Sequence, residues 1–532
     1  MEKETSTTTI TDSSSSPPPP PCPFVIYSHI LSKFPLISSN KFPSYHHSHH
    51  QLHNTWHLQQ ILAEIKQLYS LALPIIITGL ILYGKALISM IFMGRLGKEV
   101  LAGGSLAIGF ANITGYSVLS GLAMGMDAIS SQAYGAKQWH LVSHAVQRTI
   151  TILVFICIPI SFLWLCVQPI LVHSGQNPKI ASIASVYLIF SLPDLLFQAI
   201  LNPLRIYLRS QNITKPLMHS TFLALLFHAP INYLLVYHFK LGIGGVAIAG
   251  SLTNLNLLLA LLVYLYFSEA HKNCWQSWSM ECFREWKTIL KLAIPSCVSV
   301  CLEWWWYELM IIFAGLLTNA TESVATMGIL IQTTSLIYIF PSSLSQAVST
   351  RVGNELGADQ PDRARTSSHV ALICAVLTGI VAMIFAMTVR NLWGRAFTSD
   401  DVILSMTAMA LPVVGLCELG NCPQTTGCGV LRGSARPSLG AHINLASFYG
   451  VGLPVALIMG FALHLGLLGL WMGLLAAQAT CAAVMAFILS KTDWTEEARK
   501  AKELTGANME ARAAARAQTN DTTPLLETCE GI

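Results

Sequence analysis

The chain has 532 residues, 53% of them hydrophobic and only 11% charged. Soluble chains average roughly 25% charge, so a soluble globular protein is excluded, and apolar segments of about 20 residues can each cross a hydrocarbon core roughly 30 Å thick. The net charge of +4 marks no nucleic-acid partner, and the 13 cysteines show neither metal-ligand spacing nor a disulfide framework.

Residues 1–61 read as a disordered cytosolic tail, because Ser/Thr tracts and Pro17 to Pro21 cannot bury a core. The tract His46, His47, His49, His50, His53 and His57 reads as solvated tail rather than a metal site. Twelve apolar spans follow, at about 68–93, 100–124, 141–170, 180–201, 216–238, 244–267, 288–314, 322–347, 367–389, 403–425, 438–462 and 467–490. They fall into an N-lobe (62–268, helices 1–6) and a C-lobe (288–491, helices 7–12). A cytosolic linker, 269–287, joins them, and its Trp275 and Trp278 suit a membrane interface. Residues 492–532 form a cytosolic C-tail, where 494–517 can make a surface helix with spaced charge pairs.

With the N-terminus in the cytosol, the cytosolic loops hold about thirteen Lys and Arg, among them Arg205, Arg209, Arg351 and Arg432. The opposite loops hold about six. That bias favours both termini in the cytosol.

The two lobes repeat. Ala72-Leu73-Pro74 recurs as Ala293-Ile294-Pro295, Gly135-Ala136 as Gly357-Ala358, and Leu208-Arg209 as Leu431-Arg432, at an offset of about 221 to 224. An even number of spans per copy gives both copies one orientation. The predicted architecture is therefore all-α and integral to the membrane, with twelve helices in two pseudo-symmetric six-helix lobes around a cavity.

Ionisable residues inside spans cost roughly 2.5–3.5 kcal/mol on insertion scales and are functional candidates by default. Span one offers Lys85, span two Asn112, Tyr116 and Asp127, span four Asp194, and span five Asn232; Lys85 and Asp194 are candidates for a pair. Span seven is densest, with Glu303-Trp304-Trp305-Trp306-Tyr307-Glu308. Glu303 and Glu308 are the proton-coupling candidates. They lie about 140° apart on a helical wheel, so one is expected to face the cavity and the other a neighbouring helix or the rim. Trp304, Tyr307, Gln332, Tyr338, Glu418, Asn421, Gln424 and Asn444, with Asn112 and Asn232, are the substrate-cavity candidates. No patch of basic residues points to an anionic solute. No nucleotide-binding loop, zincin pair or nucleophile elbow is present, so the expectation is no enzyme, no cofactor and no metal.

Several motifs together resemble the multidrug and toxic compound extrusion (MATE) family, in its plant DETOXIFICATION branch. They are Cys301-Leu302-Glu303-Trp304-Trp305, Ile337-Tyr338-Ile339-Phe340-Pro341-Ser342, Gly353-Asn354-Glu355-Leu356-Gly357-Ala358, Ser131-Gln132-Ala133-Tyr134-Gly135-Ala136 and the run from Pro423 to Gly433. The likeness covers about residues 62–492. It implies alternating access and proton-driven antiport of small organic solutes out of the cytosol, with Glu303 linked to coupling. Many prokaryotic relatives carry their coupling carboxylate on the first helix, where this chain has Lys85. Asp127-Ala128-Ile129-Ser130 departs from the small run expected before Gln132. The alternative reading is a membrane sensor or scaffold with a transporter fold. The partners expected are solute, protons and membrane lipid. Asp521 to Leu526 looks like an acidic dileucine signal that a sorting adaptor would read at Leu525 and Leu526, favouring a vacuolar or late endosomal membrane over the plasma membrane.

Overall fold

The computed structural model describes residues 46–268 and 280–506. The Ser/Pro-rich tail, the side chains of the histidine tract, Trp275, Trp278 and the dileucine segment lie outside the described residues. The chain divides into two compact units, Met1–Leu58 and Gln59–Ile532. A helix is described from His46 in the first; all that follows concerns the second.

Every span predicted from hydropathy is met by a helix, and among the described residues there is no strand. In order they are α1 (Gln59–Leu96), α2 (Lys98–Gly135), α3 (Trp139–Leu165), α4, α5 (Lys215–His238), α6 (Gly242–Phe267), α7 (Trp286–Ala314), α8 (Ala320–Gly357), α9 (Pro361–Val389), α10 (Asp401–Gly433), α11 (Pro437–Ala462) and α12 (Gly466–Ser490). The fourth is a broken span, Pro178–Phe190 plus Leu192–Ser210, bent by 48°. Pro193 sits in the first turn of its second piece, where a missing backbone donor costs nothing. That piece runs nine residues past the predicted end at 201, to Ser210. Its polar residues Asp194, Gln198, Asn202, Arg205 and Arg209 recur every three to four positions and so share one face. A hydropathy window averages over that face and stops short of it.

The repeat is written into the backbone. Left-handed residues are uncommon outside glycine, yet Lys137 (φ 60°) matches Asp359 (59°), Asn212 (62°) matches Ala435 (58°), and Lys240 (55°) matches His464 (54°). The same interhelical turns are built twice at the sequence offset.

The opening helix of each half packs on the other half. Leu68, Leu71 and Ala72 of α1 join the core of Leu344, Ala347 and Val348. Ile289 and Ala293 of α7 join that of Leu122, Ala123 and Met126. Gly121 and Gly125 of α2 make the second crossing tight: a Cβ there would lie 2.6 Å from Cys297 Cα and 2.3 Å from Ala293 Cα. Small residues four apart permit such close approach where lipid supplies no hydrophobic drive.

At the end where α2 and α8 finish, the halves meet about a pseudo-twofold axis. A Cβ on Gly135 would fall 2.0 Å from the Asn354 carbonyl oxygen, and one on Gly357 would fall 2.0 Å from that of Gln132. Gln132 Nε2 donates to the Gly433 carbonyl at 2.9 Å; its repeat partner Asn354 donates through Nδ2 to the Ser210 carbonyl at 3.3 Å. This end of the bundle is closed.

A last helix, α13 (Trp494–Thr505), begins at Asp493, whose carboxylate accepts from the Thr495 and Glu496 amides. It is capped by Gly506 (φ 71°), and the rest of the predicted segment, 507–517, lies outside the described residues. Arg499 bonds Glu496 and Glu503 on its exposed side and holds Glu496 below the usual carboxylate range. Trp494, Ala498 and Ala501 are buried with Leu356 and Ala364, and Lys502 pairs with Asp359 at 2.7 Å. The helix is therefore docked on α8 and α9 rather than free on the surface.

Candidate functional site

Two cavities of about 310 and 300 Å³ lie between the halves, and Glu303, Trp304 and Tyr338 line both. Asn112, Tyr307 and Glu308 line the first. At a widened helical turn, Asn112–Tyr116 of α2, the Ile113 carbonyl accepts from Ser117 Oγ at 2.8 Å and from Trp305 Nε1 at 3.4 Å. That contact orients the aromatic run of α7. Trp306 turns the other way, fully buried against Phe448 and Tyr449.

Glu303 and Glu308 were expected to face different surroundings. Both instead border the first cavity, because it wraps around α7. Glu308 reaches it beside Gly109 of α2, where a Cβ would sit 3.7 Å from the carboxylate.

The second half carries a buried polar network. Tyr338 and Gln424 lie within hydrogen-bonding reach of the Glu303 carboxyl. Gln424 Nε2 donates to Asn444 Oδ1 at 3.2 Å, and Asn444 Nδ2 to Ser299 Oγ at 3.0 Å. Thr425 Oγ1 lies between Gln424 Oε1 (3.2 Å) and Asn421 Oδ1 (3.4 Å). Asn421 donates to Glu418 at 2.8 Å, and Gln478 donates to Asn421 at 3.3 Å. Glu418 is 1% exposed, and it stands with Asn421, Gln424 and Asn444 behind the cavities, not on their walls. Six predicted residues (Glu303, Tyr338, Gln424, Asn444, Asn421 and Glu418) thus belong to one network.

The first half has its counterpart. Tyr116, the repeat partner of Tyr338, donates to Asp194 Oδ2 at 2.8 Å. Asn254, the partner of Gln478, donates to Asp194 Oδ1 at 2.6 Å and accepts from Lys85 Nζ at 3.0 Å. Lys85 and Asp194 are therefore linked through Asn254 rather than paired directly. Two predicted cavity residues lie elsewhere. Asn232 donates to the His228 carbonyl at 2.9 Å inside the first half, and Gln332 accepts from Tyr83 at 3.5 Å on the α1 side of α8. Both are turned away from the cavities by the rotation of their helices, which periodicity does not specify.

The basic residues hold the largest departure from the sequence reading. Arg205, Arg209, Arg351 and Arg432, counted there as loop charges, lie within helices. Arg205 and Arg432 line the second cavity. Arg209 is 6% exposed; its Nη2 meets Asp127 Oδ1 at 2.9 Å and its Nη1 meets Gln346 Oε1 at 2.5 Å. Asp127 also accepts from Ser349 Oγ at 2.8 Å, with Arg432 Nε at 3.9 Å. The pairs Asp127/Ser349 and Arg209/Arg432 are repeat equivalents, so this cluster sits on the pseudo-twofold at the closed end. Arg351 forks onto Glu64 at 2.9 and 3.0 Å, fastening α1 to α8. The spacing of polar residues along α4 was the signal that could have found Arg205.

The MatE family profile matches residues 74–234 and 295–458. Similar curated proteins include Protein DETOXIFICATION 48 of Arabidopsis thaliana, 56% identical over 444 residues, covering 84% of each chain. Protein DETOXIFICATION 49 of the same plant is 55% identical over 452 residues, covering 85% of this chain and 90% of that one. Among solved structures, the eukaryotic MATE transporter AtDTX14 superposes with a TM-score of 0.81 at 31% identity, covering 84% of this chain and all of that one. An outward-facing multidrug resistance MATE family transporter shares the fold, with a TM-score of 0.73 at 17% identity.

Proposed function

Because this chain belongs to the MatE family of multi-pass membrane transporters, we propose that its efflux activity is proton-coupled antiport, with Glu303 carrying the proton. The observation behind this reading is a contrast between buried acids. Asp127 is neutralised by Arg209, and Asp194 sits in a network with Lys85. Glu303 borders both cavities and, among the described residues, makes no ion pair. No direct ion pair fixes its charge, so it can exist with or without a proton. Charged, it can hold a cationic group of a solute against Trp304. Protonated, it offers a carbonyl oxygen to a donor but no charge to a cation. Proton and solute then exclude each other at one group, which is the coupling that exchange requires.

The expected side for the closed end is the cytosol, with both termini there and the membrane vacuolar or late endosomal. In that orientation the conformation described seals both cavities from the cytosol. Solutes are small organic molecules, in keeping with the MatE family. The test is full-length protein in proteoliposomes with an imposed pH gradient. Gradient-driven counter-movement of solute is expected, with loss in Glu303→Gln. A flat response in wild type would favour the sensor or scaffold reading. For location, replacing Leu525 and Leu526 with alanine is expected to shift a tagged protein toward the cell surface; an unchanged distribution removes the sorting signal.

A further inference from the structure

We propose that the transported solute is amphoteric: its anionic group seats on Arg205 and Arg432, and its cationic or donor group meets Glu303. This rests on the exchange reading above and names the solute class for the same site.

The fold assembles a basic wall that the sequence does not display. Arg205 comes from α4 in the first half and Arg432 from α10 in the second, and with Glu303 they line one cavity of about 300 Å³. Arg205 makes no ion pair among the described residues; its hydrogen bond is from Nη1 to Asn202 Oδ1 at 3.3 Å. Asp194, the nearby acid, has both oxygens taken by Tyr116 and Asn254. Arg432 donates through Nη2 to Ser345 Oγ at 2.9 Å, and Asp127 stands 3.9 Å away with closer partners in Arg209 and Ser349. The Nε atoms of Arg205 and Arg432 are both buried without a hydrogen-bond partner.

The planar guanidinium fork matches the two oxygens of a carboxylate or phosphate. A purely anionic solute would meet the ionised Glu303 in the same space, and a purely cationic one would meet two guanidinium groups. A solute carrying both charges satisfies both walls. Trp304 and Tyr338 supply aromatic faces between them. The volume, at the low end for ligand pockets, suits a body of about the size of an indole. Because the cationic end uses Glu303, it competes with the proton there.

Three probes share one ring and differ in charge: tryptamine, indole-3-propionate and tryptophan. Their binding to full-length protein in lipid nanodiscs at neutral pH is the test. Tryptophan is expected to bind about tenfold tighter than either of the others. Arg205→Gln is expected to erase that advantage and to strengthen tryptamine binding. Arg205→Lys, which keeps the charge and loses the fork, should retain part of the preference. The proposal is overturned if tryptamine binds as well as tryptophan, if Arg205→Gln leaves the order unchanged, or if none of the three binds. Gradient-driven flux measured in parallel separates the two readings. Flux without charge preference removes the amphoteric site alone. Arg205-dependent preference without flux removes proton coupling alone.

Discussion

Asp127 and Glu303 are both buried acids in the membrane body, yet their partners assign them opposite behaviour. Asp127 is 1% exposed and held by Arg209, Ser349 and, more distantly, Arg432. Removing one member of a buried ion pair costs about 3–5 kcal/mol, because the other charge is left uncompensated. Asp127→Asn should therefore lower the thermal unfolding midpoint of the purified protein well below wild type. An unchanged midpoint would mean that water reaches Arg209 in this conformation. Glu308 is expected to matter less than Glu303. It borders one cavity rather than two and is not within the described hydrogen-bond network of the second half. Glu308→Gln should slow gradient-driven transport without abolishing it. A loss equal to that of Glu303→Gln would show the two carboxyls titrating as one unit.

At the scale of elements, the crossing of α2 and α7 depends on two missing side chains. Gly125 faces Ala293 and Gly121 faces Cys297 with no room for a Cβ. Backbone atoms cannot step aside as a flexible side chain can, so overpacking there must move a helix. Gly125→Leu is expected to cost more than the 1–3 kcal/mol typical of overpacking, read as lost folded yield and a lower unfolding midpoint. Gly84, with nothing within 4 Å of its Cβ position, is the control: Gly84→Ala should be neutral or slightly stabilising, since alanine favours helix by about 1 kcal/mol. Equal outcomes for the two variants would contradict the packing described. The broken α4 follows the same logic from the other side. Its bend lets the polar face of Leu192–Ser210 meet the interior while the first piece stays among apolar neighbours.

For the whole molecule, the closed end is where alternating access would be felt. Gly135 and Gly357 bring the two halves within backbone contact, the same approach made twice about the pseudo-twofold. Gly357→Val should wedge that end apart. Ser349 is fully buried there, so a cysteine at 349 reports the opening. In a background lacking other reactive cysteines, Ser349→Cys should be protected from a water-soluble maleimide in the parent and labelled in the Gly357→Val variant. Equal labelling would mean that the halves do not part at this seam. Since Ser349 also bonds Asp127, Ser349→Thr (which keeps the hydroxyl) serves to check that the reporter position tolerates change.

Twelve spans, a twofold repeat, the place of Glu303 and the family were legible in the amino-acid sequence. Each depends on something local: apolar length against a hydrocarbon core, motif order, or a constant offset between copies. The polar residues of α8 and α10 were legible as a group for the same reason, since carboxyl and amide side chains stand out against an apolar background. What each helix turns toward its neighbours was not legible. In a membrane both the lipid face and the packed face are apolar, so hydropathy gives little rotation and no partner. Only the tertiary structure placed Gln332 against α1, buried Asn232 inside the first half, and brought Glu303 and Glu308 to one cavity. It alone moved Arg205 and Arg432 from presumed loops to a cavity wall, because the register of α4 and α10 is fixed by contacts with other helices, such as Arg209 with Asp127 and Gln346 and Arg432 with Ser345.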